Sequence, residues 1–235
     1  MRLRCQLVLI SFLLLGTCAP AWAAPSQYAL DPVHTRVQFA IDHAGFSKAI
    51  GTVSGSTGTI VFDPDDWNSA RVEVSIPIAR IDLGDAKWNQ ATLARNLLDA
   101  ERHPVATFIS TRIEPVDAQH AIVHGDLTLR GETREVALQV VLNGLKRHPL
   151  PPFRRTVGFS ATAALSRADF GIDAWKSVIG DAVELRLEVE ATRSRGSADA
   201  GDDSDAPDDA PDIDASAPDT PTEQTPAMPP SEQRP

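Results

Sequence analysis

The chain has 235 residues, of which 42% are hydrophobic and 23% charged, with a net charge of −10, six histidines and two cysteines. That balance, with no basic patch carrying interleaved aromatics, excludes nucleic acid as a partner, and two cysteines exclude a disulfide-dense scaffold. The acidity is carried almost wholly by residues 197–235, where Asp and Glu face the single base Arg234, so the low charge of the chain says nothing about a ligand of its nearly neutral middle.

In chain order, Arg2 and Arg4 precede the apolar run Leu7 to Leu15 and the small-x-small site Ala21-Trp22-Ala23. This is the pattern of a secretory signal peptide over 1–23, cut before or after Ala24, and it predicts export to the periplasm. The run is shorter than the ~20 residues of a spanning helix, and no later segment approaches that length, so no transmembrane segment is expected. Thr17 before Cys18 argues against a lipoprotein. Cys5 and Cys18 both leave with the leader, and the exported chain then has no thiol, disulfide or thiolate metal site.

The folded segment is predicted over 27–192, long enough for one domain with a sizeable core. Alternation of apolar and polar residues predicts strands over 36–42, 58–62, 71–79, 106–113, 121–130, 135–143, 156–164 and 183–191. The last, Val-Glu-Leu-Arg-Leu-Glu-Val-Glu-Ala from Val183, is the cleanest. Eight strands that avoid helical periodicity predict an all-β fold, a barrel or a sandwich, and eight suit a small closed barrel. Pro77 falls on the polar side of its strand, which suits an edge or bulge. The glycine-serine cluster from Gly51 to Gly58 reads as flexible turn chemistry.

Two segments break the period of two. Leu93, Leu97 and Leu98 predict a short helix over 90–101, stopped by His103-Pro104. Residues 167–180, with Phe170, Trp175 and Val178, read as a helix or a long ordered loop. Such connectors either lid a barrel mouth or complete its core. From Ser197 the composition turns to Asp, Ala, Pro, Ser and Thr, and residues 197–235 are expected to form a disordered, solvated tail.

Catalytic chemistry finds no constellation. The serine-glycine cluster lacks the G-x-S-x-G elbow. His120 and His124 would chelate on a helix, but on a strand four residues separate the rings by about 13 Å, too far for one ion. Neither a catalytic residue, a metal site nor a cofactor is expected.

The chain also resembles a known family. Tyr28-Ala29-Leu30-Asp31-Pro32-Val33-His34-Thr35-Arg36-Val37-Gln38-Phe39 looks like that family's first strand, followed by His43-Ala44-Gly45-Phe46-Ser47-Lys48 and Gly58-Thr59-Ile60-Val61-Phe62-Asp63-Pro64. His103 to Thr111, Gly125 to Arg134, and Gly158-Phe159-Ser160-Ala161 running to Arg167-Ala168-Asp169-Phe170-Gly171 continue the match. In these pieces the chain resembles the YceI-like family of bacterial periplasmic polyisoprenoid-binding proteins. The resemblance implies an eight-stranded antiparallel lipocalin-like barrel with short helical connectors. Its apolar interior would hold an isoprenoid lipid or a quinone tail, without catalysis. Where the family usually has aromatics after the Ser47-Lys48 turn, this chain has Val53 and Ser56, which widens that part of the interior or loosens its packing. Where the family usually has a His-Leu-Arg-Ser-x-Asp-Phe-Phe run, this chain has Ala91 to Leu98.

On the barrel reading, the residues expected to line the ligand site are Val37, Phe39, Ile41, Val74, Ile76, Phe108, Leu127, Leu129, Leu138, Val140 and Phe159, supplemented by Leu97, Phe170 and Trp175. Plain core packing is the alternative role for each. The alternative function is an exported all-β interaction module without a lipid.

Overall fold

The computed structural model describes residues 25–194. The expected leader and acidic tail lie outside the described residues. Eleven strands form one antiparallel sheet: β1 (Ser26–Leu30), β2 (Arg36–His43), β3 (Ser47–Ser54), β4 (Thr57–Phe62), β5 (Arg71–Pro77), β6 (Ile81–Asp82), β7 (Val105–Pro115), β8 (His120–Leu129), β9 (Glu132–Arg147), β10 (Arg155–Ser166) and β11 (Ile179–Arg193). The order β1-β4-β5-β7-β8-β9-β10-β11 closes through a β1–β11 pairing, giving a closed eight-stranded antiparallel barrel.

The surplus strands are the other halves of broken ones. β1 pairs with β11 at Leu30↔Ala191, and β2 pairs with the same strand at Val37↔Leu187. β3 pairs with β2 and β4 with β1, while β6 bonds to β3 and β5 to β4. Each of the first three paths therefore bends once. The bend between β1 and β2 is sealed locally: Asp31 Oδ1 accepts from the Val33 and His34 amides at 2.8 and 3.2 Å, and the buried Thr35 hydroxyl donates to the Glu190 carbonyl at 3.2 Å. An Asp closing a turn on its own backbone is the ordinary use of that side chain.

Gly55, at φ +77°, makes the second bend. Before it the inner face carries Ala49, Gly51 and Val53; after it, Ser56, Gly58, Ile60 and Phe62. Carried straight through residue 55, the upstream alternation would instead place Thr57, Thr59 and Val61 inside. The Gly51 to Gly58 cluster is thus corrected from flexible turn to strand, with only residues 55 and 56 outside it. Its strand signal is faint because the inward side chains are small.

The helix also differs from expectation. α1 (Ala86–Leu93) begins at Asp85, whose carboxylate accepts from the Lys87 and Trp88 amides at 2.9 and 3.0 Å, and it ends at Leu93, so that Leu97 and Leu98 lie in the turns beyond it. The N-cap set the start, and the later leucines are placed by packing rather than helical spacing. Residues 167–178 form an ordered loop containing one short 3-10 turn, Ala168–Phe170, and 179–180 already belong to β11. Pro77 closes β5 opposite Val105.

Strand direction places the β2–β3 hairpin, α1 and the 167–178 loop at one end of the barrel. The other end carries Trp67, the β7–β8 turn and the β9–β10 loop. Among the described residues no helix is long and apolar enough to cross a membrane.

Candidate functional site

The inward residues do not fill the barrel. They enclose a cavity of about 590 Å³. Val37, Phe39, Ile41, Val74, Ile76, Leu97, Phe108, Leu127, Leu129, Leu138, Val140, Phe159 and Trp175 all border it. Phe170 does not. Its ring, 1% exposed, packs behind the wall with Val136 and Ile172 and against Leu97, Leu129 and Leu165. The 3-10 turn points it into that satellite core, so it props the loop over the cavity rather than facing the space within. Bordering residues that alternation did not nominate include Trp67, Trp88, Leu98, Ile172, Val178 and Ile179, all in connectors or at a strand start where no period-2 signal exists. Val53 and Ser56 border it as well.

The floor is aromatic. Phe62 meets Trp67 edge-on at 4.9 Å between centroids and Phe159 at 5.3 Å, with Trp67 and Phe159 at 6.2 Å. These edge-to-face contacts are the favoured geometry of aromatic quadrupoles. Residues 67–69 form a short turn capped by Asp66, which folds the indole back across the barrel end.

Two rings lie flat against the wall instead of filling the interior. Gly51 stands opposite Phe39, and a Cβ there would lie 2.3 Å from Phe39 Cζ; a Cβ on Gly125 would lie 2.4 Å from Phe108 Cζ. Each glycine leaves room for a neighbouring strand's phenyl ring, and the volume that the ring would otherwise take stays open.

The opposite end reaches the surface. Trp88 and Trp175 border the cavity while 44% and 62% exposed. Trp88 leans on His43 at 5.6 Å, and the hairpin tip presents Phe46 at 92% exposure. Ala44 donates its amide to the Val178 carbonyl at 2.6 Å, joining the hairpin to the 167–178 loop.

That loop is held by Arg167, only 4% exposed. Its Nε donates to the Gly180 carbonyl at 2.8 Å, Nη1 to Ile172 at 2.6 Å and Nη2 to Ile179 at 2.9 Å. Asp181 accepts from the Ala168 amide at 3.0 Å. A hydrogen bond from the Ser166 hydroxyl, then that amide, and the nearby Arg167 charge hold the Asp181 carboxyl below the usual range. Arg130 adds a tie, donating to the Gly171 carbonyl at 2.7 Å and the Arg95 carbonyl at 3.3 Å.

No group of three His, Cys, Asp or Glu side chains among the described residues could hold a metal ion. His120 pairs with Asp117 at 2.8 Å, and His124 lies between Glu114 at 3.4 Å and Glu135 at 3.9 Å on the outer face. What the arrangement offers is an apolar space with an aromatic floor and a mouth of exposed tryptophans, within the size range of ligand sites.

Comparison with known proteins adds a family. The model of the YceI-like domain matches residues 28–191. The UPF0312 protein of Pseudomonas savastanoi pv. phaseolicola is 30% identical over 167 residues, covering 69% of this chain and 86% of the relative. That of Ectopseudomonas mendocina is 31% identical over 173 residues, covering 73% and 90%. Among solved structures, Burkholderia cenocepacia BcnA superposes with a TM-score of 0.63 at 23% identity, covering 69% of this chain and 99% of that one. A polyisoprenoid binding domain from Saccharophagus degradans implicated in plant cell wall breakdown gives 0.55 at 15%, covering 71% and 98%. At these identities the solved structures share the fold.

Proposed function

The chain belongs to the YceI-like domain family, and from that premise we propose that its barrel binds a polyisoprenoid amphiphile, such as a quinone or isoprenoid lipid, and carries it in the periplasm. The observation that carries this reading is the 590 Å³ cavity, bordered almost entirely by Val, Leu, Ile, Ala and aromatic side chains. The name of the Saccharophagus degradans neighbour, a polyisoprenoid binding domain on the same fold, supports the ligand class. The leader-like start of the sequence supports the compartment.

Energetics fit a carrier. Burying a methylene is worth ~0.8 kcal/mol against water, so a five-carbon isoprene unit gains about 3–4 kcal/mol before ordering costs. Against a bilayer, where the chain is already out of water, the net transfer is close to neutral. Loading and unloading therefore take place where the mouth meets a membrane. Phe46, Trp88 and Trp175, exposed at that end, are residue types suited to a headgroup boundary.

Organic extraction of the purified protein followed by mass spectrometry tests this. The expected result is near-stoichiometric isoprenoid. Val140→Trp, which puts an indole into the cavity, is expected to lower lipid content severalfold with the β circular dichroism unchanged. A lipid-free wild-type protein from a native envelope, or full occupancy in the Val140→Trp variant, would overturn the reading.

A further inference from the structure

A cavity wall this apolar makes its few polar atoms informative. Two side-chain donors that border it are buried without a hydrogen-bond partner, Ser56 Oγ and Trp67 Nε1. Trp67 sits on the floor, where its indole is engaged by the rings of Phe62 and Phe159. Ser56 is different. The whole residue is 0% exposed, it follows the Gly55 bend, and the alternation running through Ile60 and Phe62 places it on the inner face.

Around it the wall is hydrocarbon: Val53 and Ile60 on its own path, Val74 and Ile76 on the neighbouring strand, paired through Gly58↔Val74 and Thr57↔Ser75. Buried polar groups are almost always satisfied, and one that is not calls for a partner. An alanine would complete this apolar wall at no such cost.

We propose that the Ser56 hydroxyl is a hydrogen-bonding station inside the cavity for an uncharged oxygen of the bound lipid, a carbonyl, hydroxyl or ether. An ionised head group is a poor occupant there, because it would be dehydrated among Val53, Ile60, Val74 and Ile76. The ligand is then an amphiphile whose neutral polar group lies within the barrel, while any strongly hydrated part stays at the Trp88–Trp175 mouth. This inference rests on the lipid-binding reading and adds the position and chemistry of the ligand's oxygen.

The test compares two probes of one carbon skeleton, geranylgeraniol and the C20 hydrocarbon lacking its hydroxyl. Binding is followed by quenching of the tryptophans that border the cavity. Wild-type protein, Ser56→Ala and Trp67→Phe are titrated with both. The expected result is that Ser56→Ala weakens the alcohol about fivefold relative to the hydrocarbon, while Trp67→Phe leaves that ratio unchanged. Lipid-free Ser56→Ala is expected to melt no lower than wild type, because the lost hydroxyl has no partner in the protein. An unchanged ratio in Ser56→Ala, a ratio that moves in Trp67→Phe instead, or a marked loss of stability in lipid-free Ser56→Ala would each overturn the station while leaving lipid binding intact. Failure of both probes to bind wild-type protein would remove the lipid-binding reading, and the station with it.

Discussion

Phe39 and Gly51 face each other across the β2–β3 pair, and the phenyl ring occupies the position where a side chain on residue 51 would begin. Ring and glycine together make a flat piece of wall. Gly51→Ala is expected to push the Phe39 ring toward the barrel axis. The overpacking would cost about 1–3 kcal/mol of stability, read as a lowered urea midpoint. It would also reduce the lipid retained per protein, read by mass spectrometry. The carbonyl of Asp82, 3.1 Å from the added carbon, closes the other direction of escape.

Arg167 holds the 167–178 loop and the start of β11 through three main-chain carbonyls and uses no carboxylate to do so. Arg167→Met keeps the aliphatic bulk and removes the three bonds. Hydrogen bonds from a charged group are worth about 1.5–3 kcal/mol, so loss of even one net bond predicts amide exchange across residues 172–180 roughly tenfold faster or more. Exchange in β9 and β10 is expected to stay as in wild type. Uniform acceleration over the whole barrel would mean that the loop is not an independent opening unit.

Asp181, with its carboxyl held below the usual range, favours the folded state only while ionised. Its contribution is therefore present above the unfolded value of about 3.8 and is lost as pH falls through the lower folded value. Thermal midpoints of wild type and Asp181→Asn are expected to differ by a constant amount above about pH 5 and to converge below about pH 4. A gap that persists to the lowest pH at which the protein folds would assign the effect to packing instead of charge.

Much of this architecture is legible in the residues, for reasons that differ by element. Strands β8 to β11 alternate over ten or more residues because one face meets the cavity and the other meets water, and period 2 records that directly. β3 hid because its inward positions are Ala49, Gly51 and Val53, small enough to look like a turn, and their smallness is what makes room for Phe39. The site was legible where it is made of strands. Trp67 and Trp88 reach it from capped turns and a short helix, set by Asp66 and Asp85, and nothing in local periodicity tells an indole of that kind from a surface one. Phe170 was misplaced for a related reason. An aromatic in a loop beside the mouth can face the space or support the loop, and only the turn at Ala168–Phe170 decides between them.

The single left-handed residue at Gly55 gives this wall something like a reading frame. Upstream of it odd-numbered residues face the cavity, and downstream even-numbered ones do. Holding residue 55 in ordinary extended conformation would not merely straighten a bend. It would swap Ile60 and Phe62 for Thr59 and Val61 along the lower half of that wall, removing one edge of the aromatic floor and exposing a phenyl ring to water. Insertions elsewhere in the loops would leave the interior alone, whereas a one-residue change here would rewrite which chemistry the barrel contains.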